Sequence, residues 1–423
     1  MHQIMTNSPL AKVWPLLFTA VSATVTYSGT AYSQPVLVPS QALSIPTKGK
    51  LEQPRDRLGV WLTTVDSQVL YDAKEQSRAL GFLQSNGFSR AAVPLYTGGY
   101  VTWQRDKGHG GIQVPLDPKL SPTNSTKVLL KSLEKYGLKR VGWFEFGLMA
   151  PVSAAWLQGR EQLLLLDRDG SSLWQESPKV NRVWLNPLQP EVQNLITDMV
   201  VDACTALPLD AIQFDDHLGY PAQFGYDSTT LNAWRQTEDG KKQPNPDPLQ
   251  PEWISWRSKQ VTALLQKIRK LMNQACPGVS LSISPNPQKF SYQNYLADWH
   301  DWARRGLVDE VVVQIYRNNL VSLGLELTQI QLDAVNSLVP VRIGLLAGLR
   351  NQPKSVEQLQ KEMKLVQSVG FEGVDLFFYE SARTHFHDGE IPPPVLPTPV
   401  LPTPVPPTPV QPAISQPIRE PKL

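Results

Sequence analysis

The chain has 423 residues, with 40 Lys and Arg against 38 Asp and Glu, which gives a formal charge of +2. This balance argues against a nucleic-acid-binding protein, and no acidic block indicates a solvating tail. The length exceeds one average domain, although single α/β barrels also reach it. Twelve Trp and twelve Tyr residues indicate a large core and, more weakly, platforms for flat ligands such as sugars.

Residues 1–33 have the pattern of a secretory signal peptide. Lys12 precedes the moderately apolar run VWPLLFTAVSATV, and residues 31–33 have the small–x–small form that signal peptidase accepts. The run is too short and too rich in Ser and Thr for a convincing membrane span. We expect an exported protein of the periplasm or cell envelope, without stable membrane insertion, and a linker over residues 34–54. An uncleaved N-terminal anchor is the alternative.

Residues 386–423 form a proline-rich tail that repeats a V-L-P-T-P unit. Proline at every second or third position prevents helix formation and strand pairing, and it favours polyproline II. We expect a disordered, semi-rigid spacer. A contact with the cell wall or with a protein partner through this tail is the second interpretation.

Between the two ends, residues 55–385 alternate strand patterns with helical patterns, which predicts one (β/α)₈ (TIM) barrel. A doubly wound sheet is the alternative, but eight such units fit a closed barrel better. The predicted strands cover 58–65, 90–96, 140–149, 210–217, 278–285, 310–316, 341–348 and 373–380. The predicted helices include 74–86, 125–136, 190–205, 253–274 and 356–369. Long loops follow strands two, three and four, at the carboxyl end where such barrels bind ligands.

The segment DAIQFDDHLGYP places two adjacent acids and a histidine at the end of the fourth strand. Side chains alternate along a strand, so Gln213, Asp215 and His217 are predicted to face the interior, with Asp216 on the rim. Glycosidic bond cleavage needs one protonated and one ionised carboxyl group, and adjacent acids push their pKa values apart. The alternatives are that Asp215 caps a helix and that His217 only holds an acid by a hydrogen bond.

Further polar and aromatic residues are predicted at the same mouth. By parity, Trp143 and Glu145 face inward on the third strand, as do Gln314 and Tyr316 on the sixth, which Arg317 follows. Glu145 is a candidate catalytic acid, with a core ion pair as the alternative. The remaining predicted substrate-binding residues are Trp61, Tyr96, Asn286, Tyr379 and Glu380.

The two cysteines, Cys204 and Cys276, each lie a few residues before a predicted strand, near one end of the barrel. In an exported protein they form a disulfide or remain two buried thiols, and the sequence leaves both open. No cofactor is expected. A metal-dependent hydrolase would combine the acids with His109 or His300, whose spacing is not typical of a metal site.

Several ordered blocks of the chain form a recognisable series: RLGVWLTTVDSQVL, WFEFGLMAP, WLNPLQPEVQNLI, IQFDDHLGYPAQFGYD, SISPNP and VVVQIYRNN. These blocks resemble the glycosyl hydrolase-like 10 family of bacterial exported proteins, and the resemblance covers roughly residues 55–350. It implies a glycosidase-like barrel, with members that cleave amino-sugar chains of cell walls or exopolysaccharides. It also implies Asp215 and Asp216 as catalytic candidates, and a sugar-binding groove lined by Trp143, Glu145, Tyr316 and Arg317.

The chain departs from the commoner retaining barrels at the end of the seventh strand, where LLAGLRN offers no carboxylate. The second catalytic group is therefore the neighbouring Asp, Glu145, Glu380 or the acetamido group of the substrate. We expect an exported glycoside hydrolase that acts on a cell-wall or exopolysaccharide glycan containing amino sugars. A barrel that binds the glycan without cleaving it is the alternative.

Overall fold

The computed structural model describes residues 58–105, 111–121, 126–177, 180–349 and 352–386. The predicted signal peptide, the linker and, apart from residue 386, the proline-rich tail lie outside these ranges, so their boundaries stay predictions. Within the described ranges, no helix has both the length and the apolar character needed to cross a bilayer.

Eight parallel strands form a closed barrel. They pair in chain order, each with the next, and the eighth pairs with the first. The strands are β1 Leu58–Trp61, β2 Arg90–Thr97, β3 Lys139–Phe144, β4 Ala211–Asp215, β5 Ser280–Ser284, β6 Glu310–Gln314, β7 Val341–Leu346 and β8 Gly373–Phe377. The predicted (β/α)₈ barrel is confirmed.

Helices cover the outside of the barrel and extend from its loops. They are α1 Ala73–Ser85, α2 Thr126–Lys135, α3 Pro190–Ala206, α4 Ser228–Arg235, α5 Glu238–Lys242, α6 Pro251–Ala275, α7 Gln288–Tyr295, α8 Trp299–Arg304, α9 Leu320–Leu327, α10 Ile330–Asn336, α11 Val356–Val369 and α12 Tyr379–Phe386. Local signals set several ends. The side chain of Asp72 caps the first N–H groups of α1, and Gly370 ends α11 with a φ of 93°.

Several predicted strands extend beyond the residues at which the strands of the structure end. The third was expected to reach residue 149, whereas β3 ends at Phe144; the eighth was expected to reach residue 380, whereas β8 ends at Phe377. Apolar residues continue beyond the last ladder hydrogen bond because the loops and α12 bury them as well. Tyr379 and Glu380 therefore begin a helix rather than end a strand.

The barrel interior has a charged lower layer and an aromatic upper layer. In the amino-terminal half, Arg90 pairs with Glu310 at 2.6 Å and Arg342 pairs with Asp375 at 2.5 Å. These buried pairs satisfy each other's charges away from water. Above them an apolar cluster fills the cylinder and forms a solid floor for the mouth; it contains Trp61, Ala92, Val141, Trp143, Ala211, Val312, Leu346 and Phe377.

Two long segments at the carboxyl end build the walls of the mouth. The segment after β3 contains an antiparallel sheet of Met149–Pro151, Val180–Trp184 and Trp174–Ser177, called the small sheet below. The segment after β4 is tethered to α6 by the buried Arg257, which donates to the carbonyls of Ala222 and Phe224, each at 2.5 Å. This tether holds the loop that follows the two acids.

A disulfide joins Cys204 near the end of α3 to Cys276 just after α6, with the Cα atoms 6.1 Å apart. The structure thus selects the bridge over two buried thiols. Helices α3 and α6 also pack against each other, so the bond links neighbouring helices on the outside of the barrel.

Removing this disulfide should lower the free energy of unfolding by about 4 kcal/mol, because it closes a 72-residue separation in the unfolded chain. The measurement is urea unfolding of the protein and of a Cys204→Ser, Cys276→Ser double variant. Two titratable thiols in the denatured, unreduced protein, or equal stability of both proteins, would contradict the bridge or its role.

Candidate active site

The acidic pair lies at the mouth of the barrel, where β4 ends. Asp215 is the last residue of the strand and is 9% exposed, and residues 216–218 turn away in a 3₁₀ helix. Oδ1 of Asp215 accepts hydrogen bonds from Ser284 Oγ at 3.0 Å, from the Asp216 N–H at 3.0 Å and from the Gln314 amide. Strands β4, β5 and β6 thus converge on one carboxyl oxygen.

Asp215 has the properties of a neutral acid. Burial, and then the negative charge of Asp216, raise its pKa well above the usual range for an aspartate, against a smaller opposing effect of His217. In the described chain, the hydrogen bonds that its side chain accepts end on Oδ1. Oδ2 is therefore the oxygen that can carry and deliver a proton.

Asp216 is held in place by Asn286 and His217. Its Oδ2 accepts a hydrogen bond from Asn286 Nδ2 at 2.6 Å, and its Oδ1 lies 3.5 Å from His217 Nδ1. Asn286 is itself fixed through its backbone carbonyl, which accepts bonds from Trp299 and Ser291. The partners of both acids are neutral side chains and an imidazole, so neither carboxylate is locked into an arginine pair within the described residues.

His217 links the acids to the third strand. Its Nδ1–H donates to the backbone carbonyl of Glu145 at 2.7 Å, and its ring packs 5.8 Å from Trp184. Burial lowers the pKa of this imidazole, but the charges of Asp216 and Asp215 outweigh burial and raise it overall. Protonation of His217 would balance the charge of Asp216.

Glu145 follows β3 and faces the same mouth. Burial raises the pKa of its carboxyl group, while the hydroxyl of Thr97, which donates to Oε2, acts in the opposite direction. The predicted inward parity of Trp143 and Glu145 agrees with this placement. Within the described residues Glu145 has no ion-pair partner of its own, which argues against the structural alternative of a core salt bridge.

Tyr96 lies away from the mouth, and its predicted placement there is corrected. A bulge shifts the β2–β3 register between Pro94 and Tyr96, so that Leu95 and Tyr96 both point outward into the core. Tyr96 is fully buried there and packs against Phe144. Thr97 takes the inward position instead, which strict alternation along the sequence cannot reveal.

Two aromatic side chains beside Asp215 carry polar atoms without partners. Trp143 is 1% exposed, and neither its Nε1–H nor the hydroxyl of Tyr316 has a hydrogen-bond partner among the described residues. Burial, and then the charge of Asp215, raise the pKa of Tyr316 strongly, so its hydroxyl stays a donor. Buried donors of this kind are costly unless a ligand uses them.

The other predicted binding residues divide between the mouth and its surroundings. Gln314 and Asn286 touch the acids directly. Trp61 lies in the floor beneath them, where its Nε1 donates to Gln213 at 2.8 Å. Arg317 pairs with Glu326 of α9, so its guanidinium is engaged at the rim.

Tyr379 and Glu380 do not join this cluster. Tyr379 packs against Phe82 of α1 with ring centroids 5.7 Å apart, and it lines a groove on the outside of the barrel. Glu380 pairs with Arg383 at 2.9 Å. Both were placed at the mouth because β8 was predicted three residues too long, and α12 carries them away.

The small sheet adds a charged pair that the sequence reading missed. Glu176 and Arg182 pair at 2.7 Å across its antiparallel strands. The charge of Glu176 raises the pKa of His217 and of Glu145, and Arg182 lowers that of Glu145, so the pair lies close to both. These residues lie in the segment after β3, where apolar and polar residues do not alternate clearly enough to indicate a role for either residue.

Asp215, Asp216 and His217 also offer one ligand atom each within 4.8 Å of one another. An oxygen-rich set of this size could hold a divalent cation. His217 Nδ1 is already used by the Glu145 carbonyl, so only Nε2 would remain as a ligand. Of the two histidines weighed as further ligands, His300 lies on α8 and His109 lies outside the described residues.

Comparison with known protein families identifies the family of the chain. The model of the family "Glycosyl hydrolase-like 10" matches residues 57–365. The chain belongs to the glycosyl hydrolase-like 10 family. A curated relative, glycosyl hydrolase DigH of Escherichia coli (strain K12), is 25% identical over 151 residues, which is 32% of this chain and 32% of the relative. The match therefore spans about a third of that protein.

Solved structures share the fold at low sequence identity. The glycoside hydrolase domain of PgaB (BpsB) from Bordetella bronchiseptica has a TM-score of 0.58 at 15% identity, covering 79% of this chain and 97% of that chain. The catalytic domain of β-amylase from Paenibacillus polymyxa has a TM-score of 0.54 at 12% identity, covering 77% and 93%. These neighbours share the barrel fold with this chain.

Proposed function

We propose that this protein is an exported glycoside hydrolase that cleaves an amino-sugar glycan of the bacterial cell wall or an exopolysaccharide. The observation that carries the proposal is the pair at the end of β4, where a buried Asp215 with a raised pKa adjoins the charged Asp216. Glycosidic cleavage needs one protonated and one ionised carboxyl group at the scissile bond. The family and the barrel fold agree with this chemistry.

In the first step Asp215 donates its proton to the glycosidic oxygen. The bond between that oxygen and the anomeric carbon breaks, and the bonding electron pair leaves with the oxygen. Asp216 then faces the positive charge that develops on the sugar ring. Because Asp215 is now ionised, it can remove a proton from the water that completes hydrolysis.

An N-acetyl sugar fits the polar atoms around the pair. Its acetamido carbonyl can accept from the unpartnered Tyr316 hydroxyl and attack the anomeric carbon, while its N–H can donate to Asp216. The acetamido group is then the nucleophile. Strand β7 offers no carboxylate for that role, because residues 341–346 read VRIGLL. Glu145, which follows the neighbouring strand β3 and whose carbonyl accepts from His217, is then a second buried acid rather than the nucleophile.

Export is supported by the leader-like residues 1–33 and by the Cys204–Cys276 disulfide, since such bonds persist in oxidising compartments. Cell fractionation tests this part of the proposal. Recovery of the full-length chain with its leader intact in the cytosol would overturn it.

The central test is digestion of purified peptidoglycan, native and stripped of stem peptides, and of an N-acetylated exopolysaccharide. Mass spectrometry of the released fragments reports the bond that is cleaved, and new reducing ends are the expected result. Binding without reducing ends would establish the non-catalytic alternative. Activity that disappears with a chelator and returns with a divalent cation would show metal chemistry at the same three residues.

A further inference from the structure

Four aromatic side chains form a line that passes beside the acidic pair; we call them the aromatic track. They are Trp174 and Trp184 of the small sheet and Tyr295 and Phe290 of α7. Neighbouring ring centroids lie 5.6 Å apart for Trp174 and Trp184, 6.2 Å for Trp184 and Tyr295, and 5.8 Å for Tyr295 and Phe290.

The track touches the acidic cluster at its centre. The ring of Trp184 lies 5.8 Å from that of His217, whose Nδ1 is 3.5 Å from Asp216. Burial, and then the charge of Asp216 followed by that of Glu176, raise the pKa of Tyr295, so this phenol lies within the electrostatic influence of Asp216. The track is therefore a wall of the same cleft.

The four side chains of the track differ in how much of each is exposed to solvent. Trp184 is fully buried, Trp174 and Tyr295 are half-buried, and Phe290 is 44% exposed. Trp184 thus supports the two half-buried rings that pack against it, Trp174 and Tyr295, and Phe290 extends the line into solvent. A large exposed aromatic next to a polar cleft is typical of a ligand-binding wall rather than of a core.

The loop after β4 fixes the position of Tyr295. The Tyr220 N–H donates to the Tyr295 carbonyl at 3.0 Å, and a Cβ on Gly219 would lie 2.0 Å from that same oxygen. Only glycine lets the loop that carries the acids approach the end of α7 this closely. The track and the acids are consequently held in one frame.

We propose that the aromatic track binds the sugar rings that flank the scissile bond, so that the protein recognises extended glycan chains rather than short fragments. This inference rests on the proposed function for the identity of the ligand. Flat aromatic faces pack on the apolar faces of pyranose rings, and the exposed parts of Trp174, Tyr295 and Phe290 can make such contacts, whereas the buried Trp184 supports its neighbours. Phe290 is the outermost contact.

The test measures binding of an N-acetylglucosamine trisaccharide and hexasaccharide by calorimetry in an Asp215→Asn background, where turnover is strongly reduced. We expect Phe290→Ala to raise the Kd for the hexasaccharide about tenfold, which corresponds to about 1.4 kcal/mol, with little change for the trisaccharide. Because Phe290 is largely exposed, its replacement should not disturb folding. Trp174→Phe should weaken hexasaccharide binding less than Trp174→Ala.

Leu338→Ala is the matched control. Leu338 is 53% exposed and lies just before β7, at the end of the barrel opposite the mouth, so its loss should change neither Kd. Equal losses for both lengths, no loss for Phe290→Ala, or a parent protein that binds neither oligosaccharide would each overturn the track. If the digestion test releases no fragments but binding still depends on oligosaccharide length, the proposed hydrolase activity is refuted and the aromatic track is not.

Discussion

Asp215→Asn should lower the rate of glycan cleavage by about 10²- to 10⁴-fold, the range expected when a general acid is removed. Asparagine has nearly the same shape and can still accept from Ser284 and Gln314 through its amide oxygen, but it cannot deliver a proton. The loss should therefore fall on kcat and leave substrate affinity largely intact. Initial rates of reducing-end release provide the measurement.

Asp210→Asn is the matched control for this variant. Asp210 precedes β4 at the amino end of the barrel, where it pairs with Arg140 at 2.7 Å, far along the strand from the mouth. The same chemical change at that end should preserve the cleavage rate. If Asp215→Asn retained wild-type activity, or if both variants lost it equally, Asp215 would not be the proton donor.

Asp216→Asn should reduce kcat by about 10²- to 10³-fold, because it removes a charge aimed at the developing positive centre. It should also change the pH profile. Asp215 must be protonated to act, so its pKa sets the alkaline limb of activity. Since the negative charge of Asp216 raises that pKa, its removal should move the alkaline limb to lower pH.

The pH–rate profiles of the parent and of Asp216→Asn decide this point. An alkaline limb that stays in place, or that moves to higher pH, would refute the coupling between the two acids. A reduced rate with an unchanged profile would still be compatible with a purely structural role for Asp216, held by Asn286. The displaced limb is therefore the diagnostic result.

Much of the site could be read from residues 210–217 alone. The alternation of Gln213 and Asp215 with Ile212 and Phe214 predicted which side chains enter the barrel, and the structure has the same arrangement. The same argument failed for Tyr96 because a one-residue bulge in β2 inverts the pattern. A bulge depends on pairing with β3 and leaves no clear mark in the sequence of β2.

The chain by itself determined the barrel, its family and the acidic pair, because hydrophobic periodicity and ordered motifs are local properties of the sequence. Only the tertiary structure decided what surrounds the pair. Glu176, Arg182 and Tyr295 reach it from segments far apart in the chain, and α12 carries Tyr379 away from it. Contacts of this kind arise from packing between distant segments, and packing in three dimensions also set the buried environment that raises the pKa of Asp215.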